Sequence, residues 1–139
     1  MSRVSQLLPV AHSGDVEIWT VSPETSIFEA VCLARKKNVG ALPVLDGDTL
    51  VGIITERDFA FKILAERIDP DKETVANFMS PNPDYVGPYT DLIDCLGIMK
   101  ENGIRHLPVL ENGKLVGIVS LRDVLFVLLE NQEFIAQKF

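Results

Sequence analysis

The chain contains one segment twice, at a constant offset of 65 residues, from position 25 to position 90. Residues 25–64 align with residues 90–129 without a gap, and about a third of the aligned pairs are identical. A repeat of this length indicates one supersecondary unit built twice, with the apolar faces of the two copies buried against each other. A site formed by one copy should therefore have a counterpart in the other.

The length of 139 residues suits one compact domain that holds both copies. We predict a single module over residues 1–139, with a first repeat over about 8–68, a second over about 74–130 and a helical extension over 131–139. The hydrophobic fraction of 47% and the charged fraction of 24% are ordinary for a globular protein.

The overall charge argues against nucleic-acid binding. A formal charge of −7 and a pI near 4.7 are unfavourable for contact with a phosphate backbone, which proteins bind through clustered Lys and Arg. The longest apolar run, Val124 to Leu129, is far shorter than the roughly 20 residues that cross a bilayer. The segment Leu7 to Ala11 is too short for a signal-peptide core. We therefore expect a cytoplasmic protein with neither nucleic-acid nor membrane partners.

The two cysteines do not indicate a metal site or a disulfide. Cys32 and Cys95 occupy different repeat positions, and neither has a second Cys or a His at metal-ligand spacing. We interpret both as small buried thiols on helix faces in a reducing compartment.

Each copy opens with a helix signal and continues into a hairpin. Thr25 and Thr90 are predicted as the N-caps, and Asn38 and Gly103 as the left-handed residues that end the helices. Apolar residues at helical spacing follow each cap, and two apolar runs joined by a turn follow each helix. In the second copy that turn contains Asn-Gly, a strong hairpin signal. The less regular segment Gln6 to Trp19 is expected to cross to the other repeat.

A second helix should follow each hairpin. Its body is predicted at Phe59 to Leu64 in the first copy and at Val124 to Leu129 in the second, where it continues through Ile135. An almost wholly apolar helix has no solvated face, so we expect it to be buried on all sides, in this chain or against another. A homodimer through the second helices of both repeats follows. The first copy should contribute three side chains, Phe59, Phe61 and Ile63.

The junction between the hairpin and the second helix carries the polar residues with the clearest chemistry. Thr55 with Asp58 and Ser120 with Asp123 have the spacing of a capping box, which is a purely structural reading. That reading leaves the arginines between them, Arg57 and Arg122, unexplained, because a cation in the first helical turn is disfavoured by the helix dipole. An anion bound at the helix N-terminus would remove the conflict. A hydroxyl, a carboxylate and an arginine together suit phosphate, ribose and charge in a nucleotide.

These residues resemble a known family. The first copy reads Val39 to Val44 followed by Leu50 to Asp58, and the second reads Ile104 to Val109 followed by Leu115 to Asp123. Together they resemble a tandem of CBS domains, also called a Bateman module, over nearly the whole chain. The resemblance implies an α+β fold in which two β-α-β-β-α repeats pack with pseudo-two-fold symmetry.

The resemblance also implies an adenosine-nucleotide site in the cleft between the two repeats. Asp58 and Asp123 would hold ribose, and Thr55 and Ser120 would face phosphate. The main chain that would line the adenine lies at Val39 to Ala41 and at Ile104 to His106.

The two copies differ at the residues just before this site. Gly40-Ala41 in the first copy is replaced by Arg105-His106 in the second. This pair is similar, in reversed order, to the adjacent basic pair that meets phosphates in the nucleotide-sensing subunit of AMP-activated kinase. Alternatively, His106 does not contact a ligand and is a surface residue at the end of a strand. If the basic pair takes part, the second copy should favour ligands with more phosphate charge.

The sequence offers no catalytic constellation. Its two histidines, His12 and His106, belong to no nucleophile-base pair and to no metal spacing, so we predict no catalytic residue, no metal and no enzyme activity. The resemblance instead implies a regulatory module that senses AMP, ADP or ATP, with NAD and S-adenosylmethionine as alternatives, and no obligatory cofactor. It would act on an unknown effector protein in trans. The alternative is a dimerisation or partner-binding scaffold without a nucleotide.

Overall fold

The computed structural model describes residues 1–8 and 18–132 and divides the chain into two units. The first-copy unit is Trp19–Pro83, and the second-copy unit combines Met1–Ile18 with Asp84–Phe139. The helical residues 4–6 thus belong with the second copy, although they lie ahead of the first in the chain.

The first-copy unit is built from one α-helix, a three-stranded antiparallel sheet and a second helical segment. Its strands lie in the order β1-β2-β3. The elements are α1 (Ile27–Lys37), β1 (Ala41–Asp46), β2 (Thr49–Thr55), α2 (Glu56–Asp58) with an adjoining π-helix (Phe59–Leu64), a 3₁₀ turn (Val75–Asn77) and β3 (Ser80–Pro81).

The second-copy unit repeats this plan. Its described elements are a 3₁₀ turn (Val4–Gln6), α3 (Leu92–Asn102), β4 (His106–Glu111), β5 (Lys114–Ser120) and α4 (Leu121–Glu130). The α+β class with two like repeats is therefore confirmed. The first strand expected in each repeat is reduced to a single parallel bridge, Val21 to Val44 in one unit and Val86 to Val109 in the other.

The N-cap of α1 lies one residue later than predicted. Ser26, not Thr25, accepts the Glu29 N–H, at 3.1 Å. The Thr25 hydroxyl instead accepts the N–H of Ser22, at 3.0 Å, and so closes the turn before the helix. A hydroxyl that satisfies the preceding turn is no longer available to cap the helix.

The same shift occurs in the second copy. Asp91 is the N-cap of α3, while the Thr90 hydroxyl accepts the N–H of Gly87 at 3.1 Å. The predicted helix ends are confirmed, because Asn38 and Gly103 both adopt left-handed conformations, with φ of 54° and 63°.

Both predicted hairpins are present and share one register. The turn of the second consists of Asn112 and Gly113, with φ of 53° and 77°. Each hairpin carries a bulge at the same repeat position, between Val44 and Leu45 and between Val109 and Leu110. The bulge increases the local twist of the strands beside the helix that covers them.

Each unit has its own apolar core. In the first-copy unit it joins α1, both hairpin strands, the π-helix and the 3₁₀ turn, and in the second-copy unit it joins the equivalent elements. The fully buried aliphatic side chains include Ile27, Leu42, Val44, Ile54 and Val75 in the first, and Val4, Leu92, Leu107, Val109, Val124 and Leu128 in the second.

The N-terminal segment completes the second copy. The Val4 N–H donates to the Thr90 carbonyl at 2.9 Å, as the Val75 N–H donates to the Thr25 carbonyl at 2.9 Å in the first-copy unit. Leu7 and Leu8 pack against the same core, so the expected crossing to the other repeat is confirmed for residues 6–8, where the described residues overlap the predicted segment. Most of the segment Gln6 to Trp19, at 9–17, lies outside the described residues.

The second helices are less buried within the chain than predicted. Phe126 and Leu129 on α4 are 68% and 58% exposed, whereas Val124 and Leu128 are fully buried in the core of the unit. Of the two expected alternatives, burial on all sides within this chain does not occur, and burial against another chain stays a prediction. Likewise Ile63, predicted at a dimer interface, is buried in the first-copy core.

The continuous C-terminal extension of the last helix is also corrected. Helix α4 ends at Glu130, and Gln132 has a left-handed φ of 59° that takes the chain out of the helical path. The Asn131 side-chain amide donates a hydrogen bond to the Ser2 hydroxyl at 2.9 Å. Residues 133–139 lie outside the described residues.

Candidate functional site

In each unit, the hairpin register brings the predicted site residues to one end of the strands. Ala41 pairs with Thr55 in the first-copy unit, and His106 pairs with Ser120 in the second. Opposite residues on one face of an antiparallel pair have Cβ atoms about 5 Å apart. The residues before β1 and β4 are thus placed beside the start of the following helix.

A main-chain hydrogen bond fixes this junction in both units. The Glu56 N–H donates to the Gly40 carbonyl at 2.9 Å, and the Leu121 N–H donates to the Arg105 carbonyl at 2.8 Å. Each helix start is therefore tied to the segment that the resemblance assigns to adenine.

In the first-copy unit, Thr55 and Asp58 form the predicted capping box. The Asp58 N–H donates to Thr55 Oγ1 at 3.3 Å, and the Thr55 N–H donates to Asp58 Oδ2 at 2.9 Å. The Thr55 hydroxyl also lies 3.2 Å from Asp58 Oδ2. Asp58 is only 7% exposed, so its carboxylate is buried and engaged.

Lys62, which the sequence analysis did not single out, is a further contact of the Asp58 carboxylate. Lys62 Nζ lies 2.9 Å from Asp58 Oδ1 and donates to the Phe78 carbonyl at 3.2 Å. The available signal was the spacing, because an acid and a lysine four residues apart meet on one helix face. In the second copy, Val127 stands at the position of Lys62.

The second-copy unit retains the cap but not the closed shell. The Ser120 hydroxyl accepts the Asp123 N–H at 3.1 Å. Asp123 is exposed, and within the described part of the chain its carboxylate has no hydrogen-bond or ion-pair partner. Two carboxylates at the same repeat position thus differ in exposure and in contacts.

The amide groups at the helix starts are largely used within each unit. Of the first three N–H groups, the first bonds the Gly40 or Arg105 carbonyl and the third bonds the capping hydroxyl of Thr55 or Ser120. An anion held mainly by free helix amides therefore does not fit. The groups left for a phosphate are side chains.

The cations around the two junctions differ. Arg57 is exposed and stacks on Phe61, with its guanidinium carbon 5.3 Å from the ring centroid. Arg122 and Arg105 are exposed in the second-copy unit, and His106 is half-buried at the start of β4. The second-copy junction therefore carries one exposed arginine more than the first.

The residues that the resemblance assigns to adenine have side chains that pack inside their units. Val39 and Ile104 pack against the cores of their units, and Ala41 is 5% exposed. The Val39 and Ile104 N–H groups are also engaged, because they donate to the Ala34 and Met99 carbonyls at 3.1 and 3.0 Å. An open groove of about 470 Å³ lies elsewhere on the first-copy unit and contains none of the predicted site residues.

Metal and membrane sites are not evident in the part of the chain that the structure describes. There, no group of three or more His, Cys, Asp or Glu side chains could hold a metal ion. No described helix combines the length and apolar character needed to cross a bilayer.

The predicted burial of both cysteines is half correct. Cys95 is buried on α3, whereas Cys32 is exposed on α1. Burial raises the pKa of the Cys95 thiol from 9.0 to about 11, and the negative charge of Asp94 adds to the shift.

Comparison with known proteins identifies matching sequences and folds. The family model of the CBS domain matches twice, at residues 2–65 and 75–130. The CBS domain-containing protein YhcV of Bacillus subtilis (strain 168) is 37% identical over 108 residues, which cover 78% of this chain and 76% of YhcV.

Two solved structures share the fold. A protein with CBS domains from Burkholderia ambifaria MC40-6 superposes with a TM-score of 0.86 at 34% identity, covering 94% of this chain and 96% of that one. CBSX2, solved in complex with AMP, superposes with a TM-score of 0.74 at 28% identity, covering 95% of this chain and 99% of that one.

Proposed function

This chain belongs to the CBS-domain family as a tandem pair, and we propose on that premise that it is a regulatory module that binds adenosine nucleotides. AMP, ADP and ATP are the favoured ligands, with NAD and S-adenosylmethionine as alternatives. The protein carries out no reaction of its own in this proposal, and nucleotide binding changes how it engages a partner protein in the cytoplasm.

The observation that carries the proposal is the second-copy junction. An exposed carboxylate without an internal partner, Asp123, lies one helical turn from the Ser120 hydroxyl, beside Arg122 and the Arg105-His106 pair. A carboxylate accepts hydrogen bonds from two vicinal ribose hydroxyls, and arginine matches phosphate oxygens. The AMP complex of CBSX2, a protein of the same fold, supports the choice of ligand.

Each residue has a proposed role. Asp123 and Asp58 accept from ribose, and Ser120 and Thr55 donate to phosphate. The remaining contacts are charge and main chain: Arg57, Arg122, Arg105 and His106 meet phosphates, and the backbone at Val39, Ala41 and Ile104 lines the adenine.

Calorimetric titration of AMP into the protein tests the proposal. We expect binding in the wild type and a loss of about ten- to a hundredfold in affinity at the second-copy site in Asp123→Ala, because one charge-assisted interaction with ribose is lost. Asp94→Ala, which removes an exposed acid on α3, is the matched control and should bind as the wild type does.

The alternative function is a scaffold for dimerisation or partner binding without a nucleotide. It is favoured by the exposed apolar side chains on the second helices. If AMP, ADP, ATP, NAD and S-adenosylmethionine all fail to bind the wild type, the scaffold replaces the sensor.

A further inference from the structure

The carboxylate of Asp58 is already occupied within the protein. Its Oδ2 atom accepts from the N–H of Thr55 and lies within hydrogen-bond distance of the Thr55 hydroxyl, and its Oδ1 atom pairs with Lys62 Nζ at 2.9 Å. The Phe78 carbonyl accepts from the same ammonium at 3.2 Å and so holds it in place from a second side. A ribose hydroxyl that approaches Asp58 therefore meets a carboxylate whose oxygens both have partners.

The second copy cannot form this contact. Val127 replaces Lys62 at the repeat position four residues after the acid, and Asp123 is exposed. The remaining residues of the motif are alike, with a hydroxyl, an arginine and an aspartate at the same spacing in both copies. Two features thus separate the carboxylates: the lysine on Asp58 Oδ1, and the Thr55 N–H on Asp58 Oδ2, which has no counterpart at Asp123 among the described residues. The lysine is the one of the two that a side-chain substitution can exchange between the copies.

The Lys62–Asp58 pair can be displaced by a ligand. The Lys62 side chain is 47% exposed, so its ammonium can return to water when a competing donor arrives. Partly exposed ion pairs contribute little net free energy, so the pair lowers nucleotide affinity at this site without abolishing it.

Resting on the proposed function, we infer that Lys62 acts as an internal occupant of the first-copy site and sets the order in which the two sites fill. Nucleotide loads the second-copy site first, on Asp123. The first-copy site fills at higher concentration, when ribose hydroxyls displace the lysine from Asp58. The protein thereby responds to nucleotide over a wider concentration range than two equal sites would allow.

Reciprocal substitutions test this inference by calorimetry with AMP. The wild type should show a tighter and a weaker class of site, and Asp123→Ala should weaken the tighter class by about ten- to a hundredfold. Lys62→Val, which installs the residue that the second copy uses, should tighten the weaker class by about two- to fivefold. Lys62→Arg keeps a cation at the position and is the control, with affinities near those of the wild type.

Val127→Lys provides the converse test, because a lysine there should pair with Asp123 and weaken the tighter class by a similar factor. Val127 is packed against the second-copy core, so Lys62→Val and Lys62→Arg decide the question if Val127→Lys does not fold. Unchanged or weaker AMP binding in Lys62→Val overturns the inference and leaves the proposed function standing. The absence of AMP binding in the wild type and in every variant overturns both.

Discussion

Asp58 and Asp123 stand at the same repeat position, but their carboxylates have different surroundings. The motif that contains them can be read from the sequence, and so can the capping role of Thr55 and Ser120. The state of each carboxylate cannot, because it depends on whether a side chain one turn later is long and charged, as Lys62 is, and on where its ammonium comes to rest. The Phe78 carbonyl that helps to hold it comes from a segment 16 residues away.

The cysteines give a prediction at the residue scale. Cys32 is exposed and Cys95 is buried, so a thiol reagent at pH 8 should modify Cys32 at once and Cys95 only after unfolding. Absorbance of a released chromophore measures both steps. Rapid modification of two thiols in the folded protein would contradict the burial of Cys95.

The raised pKa of Cys95 also predicts how stability depends on pH. The folded state holds the thiol with a pKa of about 11, against 9.0 when it is exposed, so it binds the proton more tightly than the unfolded chain does. This contribution is complete below pH 9 and is lost as pH rises toward 11. Urea unfolding at pH 8 and pH 10.5 measures it. Cys95→Ala is the control, because Ala30 fills the equivalent buried position in the first copy.

At the scale of elements, the hairpins and first helices follow from local patterns. Turn residues, paired apolar runs and left-handed C-caps all point to the observed structure, which explains why those predictions succeeded. The caps were displaced by one residue because a threonine hydroxyl can satisfy either the turn or the helix. The π-helix at Phe59–Leu64 was not predicted, because its apolar spacing in so short a segment is also that of an α-helix.

Two glycines should respond in opposite directions to the same substitution. Gly113 occupies the hairpin turn with φ of 77°, so Gly113→Ala should destabilise the fold by about 1 kcal/mol. Gly97 lies within α3 with open space around the position of a Cβ atom, so Gly97→Ala should stabilise by up to about 1 kcal/mol. Urea denaturation followed by circular dichroism measures both. If both substitutions lower the free energy of unfolding, or both raise it, the left-handed turn at Gly113 or the open helical site at Gly97 is wrong.

At the scale of the whole molecule, the N-terminal segment is part of the second-copy unit. Val4 is fully buried in that unit's core, and Val75 has the equivalent place in the first-copy unit. Val4→Ala should therefore cost about 2 kcal/mol through the lost methyl groups and the cavity they leave. Hydrogen exchange should locate the loss in α3 and β4.

Val75→Ala is the matched control for this assignment, since it should move the loss of protection to α1 and β1. Loss of protection in the first-copy unit on Val4→Ala would show that the N-terminal segment belongs with the other copy.

The exposed apolar side chains of the second helices support the last prediction, a homodimer. Phe61 and Leu64 are 61% and 77% exposed in the first-copy unit, and Phe126 and Leu129 are 68% and 58% exposed in the second. Large apolar side chains exposed together on one element mark association surfaces. We therefore expect the wild type to sediment as a dimer at tens of micromolar.

A charge among the exposed apolar side chains of a second helix should separate the subunits, because an ionised carboxylate cannot be buried without a partner. Phe126→Glu should shift the sedimentation coefficient to that of a monomer while the circular dichroism spectrum stays that of the wild type. Tyr89→Glu is the control, since Tyr89 is 69% exposed but lies outside the second helices, and it should remain dimeric. A monomeric wild type would contradict the homodimer itself. A dimer that persists in both Phe126→Glu and Phe61→Glu would place the contact between subunits on another surface.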